Sequence, residues 1–207
     1  MSHFTTIAII PRDIFENGEA DTRRFIEDIM DPFCEHNEVE PYKKPCYTCK
    51  GTKINALEYS RSFGEPCDEE DECDENGEYT TTYNPDSKWD WYRIGGRWNG
   101  EIVNNVPVSE DNGFNFSDAC ETFELNSIEI RTLINTKYPN YIYDENPDGM
   151  FTAFSVITPD GEWIEEGKMG WWAIVTDAKE KSEWLESLKS IYNKYEDDYA
   201  VLLDCHI

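Results

Sequence analysis

Phe4-Thr-Thr-Ile-Ala-Ile-Ile10 and Tyr199-Ala-Val-Leu-Leu-Asp-Cys-His-Ile207 decide how this chain folds. Each is a short, β-branched or aliphatic run, and Pro11 ends the first. Short apolar runs bounded in this way read as buried strands. If the two are antiparallel neighbours, the start of one lies beside the end of the other. His3, Asp204 and His206 then come together, and two imidazoles with a carboxylate can bind a metal or move protons. The plainer alternative is a pair of terminal histidines satisfied by nearby carboxylates.

Working inward, Asp21 to Phe33 carries Phe25, Ile26, Ile29, Met30 and Phe33 at helical spacing. Asn126-Ser-Ile-Glu129 reads as a capping pattern opening a second helix over Ile130, Leu133 and Ile134. Phe151 to Ile157 and Glu162 to Glu165 flank Thr-Pro-Asp-Gly161 and predict a hairpin. Gly170 to Val175 predicts another strand. Asp177-Ala-Lys-Glu180 predicts the cap of a helix with Trp184, Leu185, Leu188, Ile191, Tyr192 and Tyr195 on one side. Strands and helices intermix without evenly spaced β-α-β units. The expectation is one α+β domain over 1–207, a mostly antiparallel sheet packed by helices, with a ferredoxin-like arrangement as one option.

The 207 residues carry 18 Lys plus Arg against 44 Asp plus Glu, a net charge of −26, and 14% aromatic residues. An aromatic-rich acidic chain folds, because disordered acidic chains lack the means to build a core. Direct nucleic-acid binding through a basic surface is excluded, as is adhesion to anionic lipid. No apolar run approaches the ~20 residues that span a bilayer. Met1-Ser-His-Phe-Thr-Thr lacks a basic leader, which points to the cytosol.

Seven cysteines in a reducing compartment suggest metal binding before disulfides. Cys46-Tyr-Thr-Cys49-Lys-Gly-Thr puts two thiolates on one turn followed by a glycine. This half-motif resembles the cysteine-rich repeat of DnaJ-type chaperones, with Lys53 at the position of its second glycine. Cys67 and Cys73 would complete a zinc site, although their spacing is wider than usual; the alternative is an eroded knuckle with exposed thiols. Between and after them, Glu65 to Glu78 holds nine acidic residues in fourteen, a self-repelling block with no calcium-loop pattern. Residues 43–84 read as an acidic, cysteine-containing insertion.

The remaining signal is Asn84-Pro-Asp-Ser-Lys-Trp-Asp-Trp-Tyr-Arg-Ile-Gly-Gly-Arg-Trp98. Together with Ser2-His-Phe-Thr5 and Asp204-Cys-His-Ile207, it resembles an uncharacterised family encoded widely by bacteriophages. Glu38-Val-Glu-Pro-Tyr42 and Gly167-Lys-Met-Gly-Trp-Trp172 extend the likeness. The resemblance implies a phage origin and the cytoplasm of an infected bacterial host. From the residues themselves, Trp89, Trp91, Tyr92 and Trp98 supply flat faces, and Arg93 and Arg97 are among few cations. Guanidinium beside aromatic rings suits a stacked anion such as a nucleotide; the alternative is core packing around an irregular strand. With His3, Asp204 and His206 these form the candidate ligand-binding set.

Three functions follow. The first is an anti-CRISPR-like inhibitor of a host defence protein. It would present Asp68, Glu69, Glu70, Asp71, Glu72, Asp74 and Glu75 as a nucleic-acid mimic to a basic groove. The second is a nucleotide or immune-signal binder, sponge or hydrolase, using the Trp/Arg97 site. The third is a phage housekeeping protein with a structural zinc.

Overall fold

Alternation along a strand sends successive side chains to opposite faces, so a strand buried on both sides needs apolar residues throughout. The computed structural model describes residues 2–67, 73–104, 123–138, 149–170, 172 and 174–207. In it, β1 (His3–Ile10) pairs antiparallel with β10 (Tyr199–His206) along its whole length, from His3↔His206 to Ile10↔Tyr199. Ile7, Ile9, Ala200 and Leu202 face one way, into a cluster with Leu133, Trp184, Leu188 and Tyr192. Phe4, Ala8, Ile10, Val201, Leu203 and Cys205 face the other, against Ile26, Ile29 and Met30. Each such large side chain contributes about 1.5–3 kcal/mol when fully buried.

Two compact units divide the chain: Met1–Cys34 with Asp86–Ile207, and Glu35–Pro85. In the first, helices α1 (Arg12–Glu16) and α2 (Glu19–Met30) follow β1. The strands β4 (Trp91–Ile94) and β5 (Ser127–Glu129) share the outer edge of β10. On the far side β6 (Ser155–Ile157) lies parallel to β1, and β7 (Trp163–Glu165) returns antiparallel through the Thr158–Gly161 turn. The order is β4-β10-β1-β6-β7 with β5 beside β10. A short α3 (Glu101–Asn104), α4 (Ile130–Asn135) and α5 (Lys181–Lys194) complete the helices of the described residues. None of them is long and apolar enough to cross a membrane.

The fold is α+β with a mostly antiparallel sheet packed by helices. It departs from the ferredoxin-like option. That arrangement separates β1 from the strand after its helix by an intervening strand, whereas here β1 and β6 are direct parallel neighbours. Three local expectations also change. Asn126 does not cap a helix: a strand, Ser127–Glu129, intervenes because its backbone completes the edge of β10. Gly170 to Val175 is not one strand. The chain reverses between β8 (Lys168–Met169) and β9 (Val175–Thr176), with Gly170 N donating to Ile174 O and Trp172 at φ +64°. Asp177 does not cap α5; Glu180 is its N-cap residue, and Asp177 pairs with Lys168.

In the second unit, β2 (Tyr42–Pro45) pairs antiparallel with β3 (Glu78–Thr81), and the cysteine loops lie between them. This unit is wider at both ends than the 43–84 span read from the sequence.

Tyr192 is fully buried on α5, yet its hydroxyl has no hydrogen-bond partner among the described residues. A buried hydroxyl without a partner costs about 1–3 kcal/mol of lost hydration. Tyr192→Phe is therefore expected to hold or raise stability, by up to about 1 kcal/mol, read from the urea midpoint. A loss of that size instead would mean the hydroxyl is bonded.

Candidate functional site

Toward the His3 end, the face of β1 and β10 that carries Ile7 and Leu202 turns from apolar to polar. Register pairs His3 with His206 and Thr5 with Asp204, and on the next strand Trp91 with His206 and Arg93 with Asp204. His3 Nδ1 lies 2.7 Å from Asp204 Oδ1, and His206 Nδ1 lies 2.7 Å from Asp90 Oδ1. The imidazole centroids are 4.8 Å apart. Trp91 stacks on His206 at 4.9 Å, sits edge-on to His3 at 5.2 Å, and has the Arg93 guanidinium 5.7 Å above its ring. Thr5 Oγ1 accepts from Phe154 N, 3.1 Å away, tying the neighbouring segment to this end.

Burial lowers the His3 pKa below the usual 6.5, and the Arg97 and His206 charges add to the effect, although hydrogen bonding to Asp204 opposes it. Asp204 is itself buried and takes a second hydrogen bond, from Arg97 N to Oδ2 at 2.9 Å. His206 is 6% exposed, and its Nε2 has no hydrogen-bond partner among the described residues. Cys205, between these two, faces the opposite core; burial pushes its thiol up to about 12, so it is not a nucleophile at neutral pH.

The glycines after β4 are required by close approach. Gly95 (φ +73°) and Gly96 (φ +49°) begin a turn that leaves the sheet where β10 changes partner. At that changeover Leu202 O accepts from Gly95 N, and Leu202 N donates to Asn126 O. A Cβ on Gly96 would lie 2.3 Å from Asp204 Oδ2, and one on Gly95 would lie 2.4 Å from the Asn126 amide. Asn126 uses that amide to hold the turn, accepting from Gly100 N at 2.9 Å and donating to Asn99 Oδ1 at 2.7 Å. Gly-Gly-Arg thus lays its backbone directly against the Asp204 carboxylate of β10.

The second unit gathers four thiols. Cys46, Cys49, Cys67 and Cys73 have sulfurs within 4.8 Å of one another. Separations of 3.8 Å (Cys46–Cys67), 4.0 Å (Cys49–Cys73) and 3.4 Å (Cys67–Cys73) bracket the ~3.8 Å edge of a tetrahedron with ~2.3 Å metal–sulfur bonds. Gly77 O accepts from Cys46 N, joining the two halves. A Cβ on Gly77 would strike the Gly51 backbone at 2.8 Å. Burial opposes ionisation of Cys46, but hydrogen bonds from the Cys49 and Thr48 backbone and from neighbouring thiols outweigh it and bring the thiol down to about 7. Lys53 Nζ, 3.3 Å from Cys73 Sγ, supplies positive charge to the cluster. Among the described residues no other group of three or more His, Cys, Asp or Glu side chains could hold a metal.

Of the candidate ligand-binding set, His3, Trp91, Arg93, Asp204 and His206 share one face, with Arg97 at its edge. Trp89 and Tyr92 lie in the opposite core, and Trp98 packs on the apolar cluster under α5. Asp90, absent from the sequence-based set, is the carboxylate that holds His206. Asp90 lies in a bend before β4, where its N–H donates to His206 O, so strand alternation does not place it and no local sequence signal points to it. A shallow hollow lined by Arg23, Ile26, Glu27, Tyr92, Arg93 and Ile94 opens on the α2 side of β4 and includes neither imidazole. In the acidic set, Asp74 is committed to its own loop. It accepts from Asn76 N and Glu78 N and pairs with Lys43, and that ion pair with the backbone bonds holds its carboxyl down to about 2. Glu75 is exposed beside it, and Asp68, Glu69, Glu70, Asp71 and Glu72 lie outside the described residues.

No protein-family model, curated protein or solved structure matches the chain.

The turn glycines give a paired test. Gly96→Ala meets both a left-handed backbone and the Asp204 carboxylate, whereas Gly161→Ala meets a left-handed backbone with nothing within 4 Å. Gly161→Ala is expected to cost about 1 kcal/mol and Gly96→Ala about 2 kcal/mol or more, by denaturant melts. Only Gly96→Ala should alter the titration of His3 followed by NMR. Equal costs with an unchanged His3 titration would contradict the close approach.

Proposed function

We propose that the protein binds a small anionic ligand of the nucleotide class at the His3/His206 end of the sheet. The observation that carries this reading is His206 Nε2, buried and without a hydrogen-bond partner among the described residues. Around it, His3 Nδ1, His206 Nδ1 and the Arg97 backbone N–H each have a carboxylate partner. A buried nitrogen left so costs about 1–3 kcal/mol, a cost that an oxygen-bearing ligand removes when it bonds there. Trp91 and the guanidinium of Arg93 supply a flat, cationic boundary, and Arg97 supplies further positive charge near His3. With the phage resemblance, the reading becomes a binder of a host nucleotide signal, acting in the cytoplasm of the infected cell.

The test is titration with adenosine monophosphate, followed by calorimetry and by the His206 ring resonances. Binding is expected to shift those resonances, and Arg97→Ala, which keeps the backbone N–H on Asp204, should weaken it about tenfold or more. A ligand that leaves His206 unmoved, or binds Arg97→Ala equally well, defeats the reading.

The acidic-mimic function is the second reading, favoured by the charge of −26. It expects capture of a host defence protein whose release needs only moderate salt. Substituting the acidic residues of 68–72 by Ser and Gly, which spares Cys73 and Asp74, should weaken that capture while leaving nucleotide binding intact.

For the second unit we propose a structural zinc held by Cys46, Cys49, Cys67 and Cys73. The sulfur spacing supports a tetrahedral ion, and Lys53 offsets part of the double negative charge of four thiolates around Zn²⁺. Purified protein should carry one zinc per chain, and cobalt replacement should give thiolate-to-metal absorption. Cys49→Ser should reduce metal retention on dialysis against chelator. Metal-free protein that neither takes up cobalt nor changes its melting on chelation would exclude the site.

A further inference from the structure

Each imidazole at the sheet end is tied at Nδ1 to its own carboxylate, His3 to Asp204 and His206 to Asp90. An ionised carboxylate only accepts, so it fixes a proton on Nδ1 and presents Nε2 as the working nitrogen of each ring. With centroids 4.8 Å apart and planes at 71°, the rings are close enough for one substrate group to touch both. Both carboxylates are spent on Nδ1, and among the described residues these groups do not form a metal-binding cluster. Two rings held in this way can take and give protons at Nε2.

We propose that the paired Asp–His dyads make this site a hydrolase of phosphate esters, with His3 as general base and His206 as general acid. This inference rests on the reading that a nucleotide-class anion binds here, and adds the reaction to it. His3 Nε2 takes a proton from water as the water oxygen forms a bond to phosphorus. The P–O bond to the leaving group breaks, and His206 Nε2–H gives its proton to that leaving oxygen. One water is consumed, one ester becomes an alcohol and a phosphate, and solvent exchange returns each ring to its starting protonation state.

The surroundings fit the two roles differently. His3 is faced by Asp204, Arg97 and His206, and burial together with the two cationic neighbours keeps it neutral at neutral pH, as a base must be. His206 is faced by Asp90, by His3 and by the Trp91 ring, with Arg93 across the ladder from Asp204. Asp90 is the counter-ion an imidazolium needs, and the buried Nε2 needs an acceptor once protonated. A phosphate ester oxygen is that acceptor. Asp204 and Asp90 act through the rings and are positioning residues.

The experiment follows hydrolysis of bis(4-nitrophenyl) phosphate and of cyclic di-adenosine monophosphate by phosphorus NMR, alongside binding of adenosine monophosphate to the same samples. Wild-type protein should turn over at least one probe, at a rate unchanged by chelator, with a bell-shaped pH profile whose acid limb lies below 6.5. His3→Gln and His206→Gln should each lose about 10²–10⁴-fold in rate, and His206→Gln should also weaken binding of adenosine monophosphate. Asp90→Asn should lower kcat with little change in KM, and by less than His206→Gln does. Binding without turnover, or turnover that survives His206→Gln, overturns the catalytic inference and leaves the binding reading standing; absence of binding overturns both. If the histidine variants do not fold, the wild-type profile decides, and one lacking an imidazole limb counts against the proposal.

Discussion

The antiparallel ladder between the first and last strands is the constraint on which the rest depends. β1 and β10 are central in the sheet, paired over eight residues. Their side chains build both cores, one under α4 and α5 and one under α2. Joining segments so far apart in the chain is entropically costly, and the return comes from burying Ile7, Ile9, Ile10, Leu202 and Leu203 completely. The same ladder continues past the apolar stretch. There it has no freedom to choose its neighbours: register alone sets His3 against His206 and Thr5 against Asp204. A core-building interaction thus also brings together the polar groups at its end.

Burying two imidazoles and a carboxylate there works against stability, because desolvation disfavours their charged forms. The chain meets that cost with geometry. Asp204 receives His3 on one oxygen and the Arg97 N–H on the other. That second bond requires the backbone of Gly96 to lie against the carboxylate, with no room for a side chain. Asn126 then pins the turn from behind, at the point where β10 exchanges β4 for β5. Both Asp204 oxygens are thus hydrogen-bonded, while the buried Nε2 of His206 has no hydrogen-bond partner among the described residues.

Sequence patterns revealed the parts whose cause is local. The terminal strands, α2, the hairpin turn at Thr158–Gly161 and the buried stripe of α5 each follow from period and turn chemistry within one segment. The convergence of His3, Asp204 and His206 was legible because a single assumption, antiparallel termini, fixes it. What escaped depended on a partner elsewhere. Ser127–Glu129 resembles a helix start, but an unpaired edge of β10 recruits its backbone, and tertiary pairing prevails over a cap worth about 1 kcal/mol. The parallel placement of β6 beside β1 left no trace in Ser155, Val156 and Ile157. Aromatic richness around residue 90 did not separate Trp91, which lies on the imidazoles, from Trp89 and Trp98, which fill cores; only tertiary placement does so, with Trp89 pairing with Cys34 before β4 and Trp98 lying past the Gly95–Gly96 turn.

Charge and site are consistent once distance is considered. A net charge of −26 repels an anion as it approaches, but the Debye length at physiological ionic strength is about 8 Å, so distant carboxylates contribute little at the imidazoles. What acts there is local. Asp204 and Asp90 are each partnered by an imidazole, and Arg97 and Arg93 border the same face. The strongly acidic stretch belongs to the other compact unit, where Lys43 is taken by Asp74 and Lys53 by the thiol cluster. Cations in this chain are few, and Lys43 and Lys53 serve the loops of the second unit. Arg93 and Arg97 lie instead beside the imidazole face, and the proposed anion binding rests on that local charge rather than on the total.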